Sequence, residues 1–526
     1  MIIICISNKS IKAKTQNFNS ILVRVTSYPK AQITHFMGAL GFFICLGKNV
    51  VLFFSFCSGF MTINRYRPNL FVISIAAVRL FFTYRIFYDI IGEIYIYDRS
   101  AILNKWYKLD NAAKLFPSVT SIKNSSVFRV SAVLTEAVDK EILQKTVDHV
   151  YDRFPMLFVK MHKGVFWDYF DNNYNKFLIQ EEIDFPCGNI NQIENNGYFI
   201  KILYFNNRIS IEVFHSLTDG GGAIEFLKTI LFYYYKFLDN NIESEGKIVL
   251  TDNSVSADDL EDSFFKYYEK MKLQKHKSKH SFRIRGIPFE TYGNNVITGV
   301  VSAKKLNETA KANKATITSY LASLLVYSIY MASQKYTHDK NPIIICVPVN
   351  LRKAFPSKTL RNFFVTANIG MNVNSATKLE EIISEMTAQL KKKTETFSLQ
   401  ELISNNVKYE NNIYTKLVPL FLKKIFILIG FNIMGETKKS MTLSNMGNIS
   451  IPEGLASKIN LMEAVLYPTP KSPINCGICS VNDKLAISFS RTIIETDIIR
   501  YFLNYISENV GLDVAVYSND WGESRE

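Results

Sequence analysis

No Asp or Glu precedes Asp89 in this chain, and cysteine is scarce, with seven in 526 residues. So few cysteines exclude a disulfide scaffold and suit a reducing compartment. No H-E-x-x-H, Walker loop or G-x-S-x-G elbow occurs, so the usual zinc-protease, P-loop and serine-hydrolase signatures are absent. Zinc-finger spacing, an RNP-like aromatic motif and a basic zipper are missing too, and no nucleic-acid partner is expected. What is present is apolar bulk: 48% hydrophobic residues, including 39 Phe and 28 Tyr. Such a chain buries a sizeable core and is neither disordered nor collagen-like.

The formal charge of +14 is unevenly placed. Residues 1–100 carry 11 Lys+Arg against Asp89, Glu93 and Asp98, a net of +8, which leaves +6 for the remaining 426 residues. Residues 1–103 therefore read as an apolar, basic N-terminal extension. Phe36 to Ile63 is nearly all apolar or small, long enough against the roughly 20 residues a membrane span needs. Lys48 near its centre costs about 2.5–3.5 kcal/mol on an insertion scale. Three readings stay open for this extension: a membrane anchor, a poorly ordered extension, or sequence upstream of the true start codon. If it folds, one or two helices are expected in the apolar stretch.

From about residue 104 the pattern becomes globular α/β. Residues 127–134 alternate as a strand, and 139–151 have helical spacing. Two strands, 198–205 and 209–214, flank an Asn206–Asn207–Arg208 turn, and a helix is predicted over 223–238. Residues 251–289 read as an exposed crossover linker between a first half, 104–250, and a second, 290–515. In the second half helices are expected near 316–335, 377–397 and 495–508. Strands are expected near 343–349, 440–445 and 485–491. Cys476-Gly477-Ile478-Cys479 is a lone C-x-x-C, read as part of a strand, and no metal site is expected. Tyr233–Tyr235 reads as the core and flank of its helix.

The chemistry-bearing segment is Phe214-His215-Ser216-Leu217-Thr218-Asp219-Gly220-Gly221-Gly222. A strand ends at His215 and a helix follows the glycines, which allow a tight turn and leave the imidazole open. A histidine titrating near 6.5 accepts a proton from a hydroxyl, thiol or amine at neutral pH. Asp219 orients the loop, through an arginine or as a helix cap. The plainer reading is an ordinary strand-end histidine followed by an N-cap. A phosphate-cradling G-x-G-x-x-G fails because Glu225 stands at the third glycine position.

This segment resembles the H-x-x-x-D-G motif of the chloramphenicol-acetyltransferase-like, CoA-dependent acyltransferases, a superfamily that includes alcohol acetyltransferases and peptide-synthetase condensation domains. Four further stretches fit in order. Trp106–Ala113 (WYKLDNAA) is similar to an alcohol-acetyltransferase opening. Arg153–Leu157 (RFPML) resembles the R-H-x-x-L stretch. Val347–Arg352 (VPVNLR) and Ser444–Gly447 (SNMG) look like the N-L-R turn and the S-N-x-G element. The resemblance spans roughly 104–515 and departs from the double histidine of many members, having Phe214 before His215.

The resemblance implies two mixed-sheet α/β subdomains with an active-site tunnel at their seam, His215 at its middle. It implies acyl transfer from acyl-CoA, as co-substrate and with no bound cofactor, to an alcohol acceptor. His215 would be the general base and Asp219 structural, paired with Arg153, with Gly220 and Arg352 supporting the loop. Ser444 or Asn445 would face the developing oxyanion, and Asn350 would line the tunnel or cap a strand. The alternatives are a condensation-like domain fed by a carrier protein and forming an amide or ester, and a non-catalytic acyl-binding homologue. The expected location is cytoplasmic, with membrane association through the N-terminal segment if that segment is an anchor.

Overall fold

The computed structural model describes residues 4–6, 41–46, 51–57, 60–63, 106–238, 241–271, 280–289 and 293–519. The chain divides into two compact units, Met1–Ala101 and Ile102–Glu526. In the first unit β1 (Ile4–Ile6), β2 (Gly41–Leu46), β3 (Val51–Cys57) and β4 (Phe60–Ile63) form a four-stranded sheet in that order. Where the sequence suggests helices in Phe36–Ile63, the described residues are strands. Segments such as Val51–Cys57, dominated by Phe and Val, favour the extended chain.

The second unit holds two mixed sheets. One has five strands: β6 (Val127–Leu134), β9 (Gln180–Glu181), β10 (Ile200–Phe205), β11 (Arg208–Phe214) and β16 (Ile459–Val465). They line up as β16-β6-β11-β10-β9. The other has seven: β12 (Asn295–Ser302), β13 (Ile343–Asn350), β14 (Phe364–Met371), β15 (Met441–Asn448), β17 (Ile474–Val481), β18 (Lys484–Arg491) and β19 (Ala515–Ser518). Their order is β14-β13-β15-β17-β18-β12-β19. A small third sheet joins β5 (Trp106–Lys108), β8 (Tyr169–Asn172) and β7 (Val159–His162).

The helices form where the apolar stripes predict them. α1 (Lys140–Val150) is capped by Asp139, whose carboxylate accepts from the amides of Glu141 and Ile142. α2 (Gly220–Phe237) packs beside α1 and over β6 and β11. Tyr233, Tyr234 and Tyr235 are buried within it; the Tyr234 hydroxyl accepts from the Asp139 amide at 2.8 Å. On the seven-stranded sheet lie α3 (Ile317–Ala332), α4 (Leu379–Lys393) and, near the C-terminus, a helix over Asp497–Asn504. Cys476 and Cys479 lie buried on β17, where burial pushes both thiols up, Cys479 to about 12. They are core residues.

Three features depart from the sequence reading. Helices Thr396–Asn411 and Leu420–Gly430 occupy a stretch with no element predicted. The 251–289 segment is not wholly exposed: Asp259, Ser263 and Phe264 are buried, Phe264 in a cluster with Leu351, Phe355 and Phe363. Phe282 and Ile284 of the same segment are buried in the core of the seven-stranded sheet. Finally, β16 has no counterpart among the predicted strands. It leaves the second half, pairs antiparallel with β6, and also packs on β17 and β18, so it joins the two sheets.

This joint depends on a glycine. A Cβ built on Gly477 of β17 would lie 2.0 Å from the Ala464 carbonyl oxygen on β16. Only a residue without a side chain lets the two strands approach so closely. Gly477→Ala is expected to destabilise the chain by at least about 1–3 kcal/mol, the usual cost of forced overpacking. Urea or thermal unfolding checks this; an unchanged midpoint contradicts the close approach.

Candidate active site

His215 follows the last residue of β11, and its amide donates to Ser126 O at 2.9 Å, which holds the backbone against the start of β6. The ring is partly buried among three phenylalanines. Phe116 stacks on it at 4.4 Å between centroids and 8° between planes; Phe128 lies at 4.8 Å and Phe364 at 5.3 Å. Phe364 belongs to the second half, so the imidazole sits where the two halves meet.

The polar partner of the ring is Asn362, whose Oδ1 lies 3.2 Å from His215 Nδ1. The amide orientation follows from the other end. Asn362 Nδ2 donates to Asp110 Oδ2 at 3.2 Å, while Asp110 Oδ1 accepts from Ala113 N at 2.7 Å. Both carboxylate oxygens are thus acceptors, so the Asn362 nitrogen must face Asp110 and its oxygen must face the histidine. His215 Nδ1 is therefore the protonated nitrogen and Nε2 carries the lone pair. Burial lowers the His215 pKa below 6.5, opposed by its own backbone, the Asp219 charge, the Asn362 bond and the Asp110 charge. The neutral base form prevails at neutral pH.

Asp219 does something different. Its Oδ1 accepts from Gly222 N at 3.1 Å and caps α2. Its Oδ2 accepts from Arg352 Nη1 and from Phe363 N, both at 2.8 Å. Burial pushes this carboxyl up, but the Arg352 charge and these donors outweigh it and hold the group below the ordinary carboxylate value. The arginine is not the one expected: Arg153 instead pairs with Asp259 Oδ2 at 3.0 Å. Arg153 lies in the turn after α1 and reaches the crossover, whereas Arg352 points from the turn after β13 straight at the cap of α2. Arg352 also donates to the Thr359 and Arg361 carbonyls, at 3.0 and 2.6 Å.

The glycines serve this contact more than they serve a turn, since none of the three has a positive φ. A Cβ on Gly222 would lie 2.2 Å from Leu360 O, and one on Gly220 2.6 Å from the Met446 thioether. The SNMG segment thus meets the motif through Met446. Asn445 is engaged elsewhere: its Nδ2 donates to Thr318 Oγ1 at 2.9 Å and its Oδ1 accepts from Gly447 N at 2.8 Å. The bond to Thr318 engages one of the two hydrogens of the amide nitrogen expected to face an oxyanion. Ser444 is buried on β15, paired in register with Gly477. Asn350 is exposed and caps the turn that carries Arg352, accepting from Arg352 N at 3.0 Å.

Two residues that sequence reasoning did not single out, Asn362 and Asp110, contact the motif most consequentially. Asp110 lies within the WYKLDNAA stretch, and full burial of a carboxylate was the physical clue that only the fold could give. Burial raises its pKa against Arg361 and the donors from Ala113 and Asn362, and its charge together with burial pushes nearby Asp262 up to about 7.

The larger cavity described lies apart from the imidazole. It is a cleft of about 500 Å³ lined by Arg129, Ser131 and Glu463 of the five-stranded sheet and by Thr298 and Tyr517 of the seven-stranded one. Inside it Arg129 bonds Glu182 at 2.6 Å and Glu212 at 2.8 Å, and Glu463 accepts from Tyr517 at 2.5 Å. His215 does not line it. Among the described residues no His/Cys/Asp/Glu group could hold a metal ion.

No family model matches the sequence, and no curated protein matches it. Solved structures do match by fold. The Fusarium graminearum TRI101 structure with coenzyme A and deoxynivalenol aligns at a TM-score of 0.50 and 12% identity, over 78% of this chain and 99% of that one. The polyketide synthase associated protein 5 of Mycobacterium tuberculosis aligns at 0.48 and 12%, over 77% and 98%. The first condensation domain of the CDA synthetase aligns at 0.49 and 9%, over 78% and 96%. The chain therefore shares the two-subdomain fold of the TRI101 structure.

The buried Asp219–Arg352 pair is a testable joint. Asp219→Ala and Arg352→Ala are each expected to cost about 3–5 kcal/mol, because each leaves one charge buried and unpaired. The double variant should lose clearly less than the sum, as contacting partners do. The sign with pH follows from the lowered Asp219 pKa. The contribution is full above the unfolded carboxylate value near ~3.9 and fades as pH falls through the lower folded value. Urea unfolding of the three variants and wild type across that range measures both.

Proposed function

We propose that this chain transfers an acyl group from a CoA thioester to an alcohol hydroxyl, with His215 as the general base. The observation that carries the reading is the contact of His215 Nδ1 with Asn362 Oδ1 at 3.2 Å at the junction of the two halves, which, with Asp110 turning the Asn362 oxygen toward the ring, leaves Nε2 as the base. The presence of coenzyme A and deoxynivalenol together in the TRI101 structure, on the same fold, supports CoA as the donor.

In this mechanism the acceptor hydroxyl gives its proton to His215 Nε2 as its oxygen attacks the thioester carbonyl. The tetrahedral intermediate collapses, the C–S bond breaks, and the CoA thiolate takes the proton back from the imidazolium. No acyl-enzyme is formed. Asp219 stays ionised and exchanges no proton, since its charge is spent on Arg352 and the start of α2. Ser444 and the second Nδ2 hydrogen of Asn445 are the polar candidates of the SNMG segment for the oxyanion, the first being donated to Thr318.

The reading is tested by thiol release from acetyl-CoA and long-chain acyl-CoA against a panel of alcohols and amines. His215→Ala is expected to lose about 10²–10⁴ of the rate, the usual worth of a positioned base. Thioester binding without thiol release, or full activity of that variant, refutes it. A panel in which only carrier-linked thioesters turn over replaces CoA by a carrier protein as donor.

The pH profile separates positioning from scaffolding. The acid limb of kcat/KM should lie below about pH 6.5, because burial disfavours the imidazolium. Asn362→Ala should lower kcat about 10–100-fold, in the range of other lost orienting partners. Asn362→Asp should move the acid limb upward, because a carboxylate beside the ring favours its charged form. A limb that stays put in Asn362→Asp contradicts the contact.

A further inference from the structure

α5 (Leu420–Gly430) is mounted inside out. Its lysines face the protein and its large apolar side chains face away. Lys423 is 6% exposed, donates to Phe166 O at 3.1 Å and to Lys416 O at 3.2 Å, and lies 3.8 Å over the Trp167 ring. Lys424 pairs with buried Asp168 at 3.0 Å, and the Leu420 amide donates to Val165 O. Outward stand Phe421 and Phe426, each 67% exposed, with Ile425, Leu428, Ile429 and, in the next turn, Ile433. These positions recur at helical spacing and form one stripe. A soluble surface helix shows the opposite arrangement, and a contiguous apolar face of this kind marks an interaction site.

We propose that this face lies in the headgroup layer of an anionic lipid membrane. Charge selects that occupant. No Asp or Glu occurs from Asn411 to Gly435. The acids that flank the helix are already neutralised: Asp168 by Lys424, Glu436 by Lys439, and Glu410 by Lys114. Beside the helix stand exposed Lys163, partly exposed Lys416, and Lys471, which bonds Asn432 at 2.6 Å, while Lys424 is spent on Asp168. An apolar face bordered by basic residues with no uncompensated acid near it matches an interfacial anchor, which combines hydrophobic burial with attraction to anionic headgroups. Among the described residues no single helix is long and apolar enough to cross a membrane, so the association is one of lying in the surface. α5 packs on the short helix Phe116–Val119, whose Phe116 stacks on His215, so this surface is close to the candidate active site.

The test is co-sedimentation of the full chain with vesicles of phosphatidylcholine, with and without phosphatidylserine. Wild type should sediment, more strongly with phosphatidylserine, and Phe421→Glu/Phe426→Glu should lower partitioning by at least about tenfold, from the apolar area withdrawn. Both side chains are largely exposed, so the thermal midpoint of the variant should not change. Because residues 1–101 could bind lipid independently, a second variant, Phe426→Trp, reads the face itself. The emission it adds over wild type should shift to the blue with vesicles and be quenched by brominated lipid. An added emission that vesicles leave unshifted overturns the proposal, whether or not wild type and double variant sediment equally. So does a lipid-independent dimer that the double variant dissociates, which would assign the face to a second copy of this chain.

Discussion

One carboxylate, Asp219, ties the two halves of the second unit together. It caps the helix of the first half through one oxygen and takes an arginine and a backbone amide of the second half through the other. Each of these donors would be costly to leave unpaired in a buried place, and a single side chain satisfies all of them. The glycines that follow it are consequences of the same contact. Once Arg352 docks, Leu360 O comes so close to the helix start that no side chain fits at Gly222. Thr218 Oγ1 also donates to Leu360 O, at 2.5 Å, which adds a neutral bond beside the ion pair.

From that tie the geometry propagates to the imidazole. Arg352 holds the carbonyls of Thr359 and Arg361, so the strip of chain leading into β14 is fixed on both sides of Leu360. Asn362 is the next residue, and its own amide is held by Asp110 as well. The orientation of the histidine is thus set by a chain of bonds that begins at the Asp219–Arg352 ion pair. This division of labour, with charge for assembly and a neutral amide for orientation, keeps the imidazole from gaining a strong ionic partner. A carboxylate in Asn362's place would stabilise the imidazolium and raise the pH below which the ring, in the apolar pocket formed by Phe116, Phe128 and Phe364, is already protonated.

What the sequence revealed about this site follows from which interactions are local. The His215–Gly222 segment was legible because a strand, a turn and a helix cap are adjacent in the chain, and helix α2 follows directly from its apolar stripe. The pairing of Asp219 was not legible, because Arg153 and Arg352 are both arginines in plausible turns and only the packing of the crossover decides between them. Asp259 takes Arg153, and that leaves Arg352 for Asp219. Asn362 carried no signal at all. An asparagine near a strand start is ordinary until Asp110, 252 residues away, fixes its rotation. The strand β16 was hidden for a similar reason: its exchange into the other sheet is a long-range choice that local pattern does not encode.

The same logic explains why α5 could not be read correctly from composition. A stretch such as LFLKKIFILIG carries enough apolar residues to be a core helix and enough lysine to be a surface one. Periodicity gives the two faces but not their direction. Direction is decided by what the neighbours offer the lysines: the Phe166 carbonyl, the Trp167 ring and the buried Asp168 carboxylate form a polar cradle that a leucine could not use. Asp168 in particular would be buried without compensation if the helix were turned over, at a cost of several kcal/mol. Turning the helix to hide Phe421 and Phe426 would therefore recover apolar burial while stranding a buried charge. The loop Val165–Asp168, not the helix, holds the helix in that orientation.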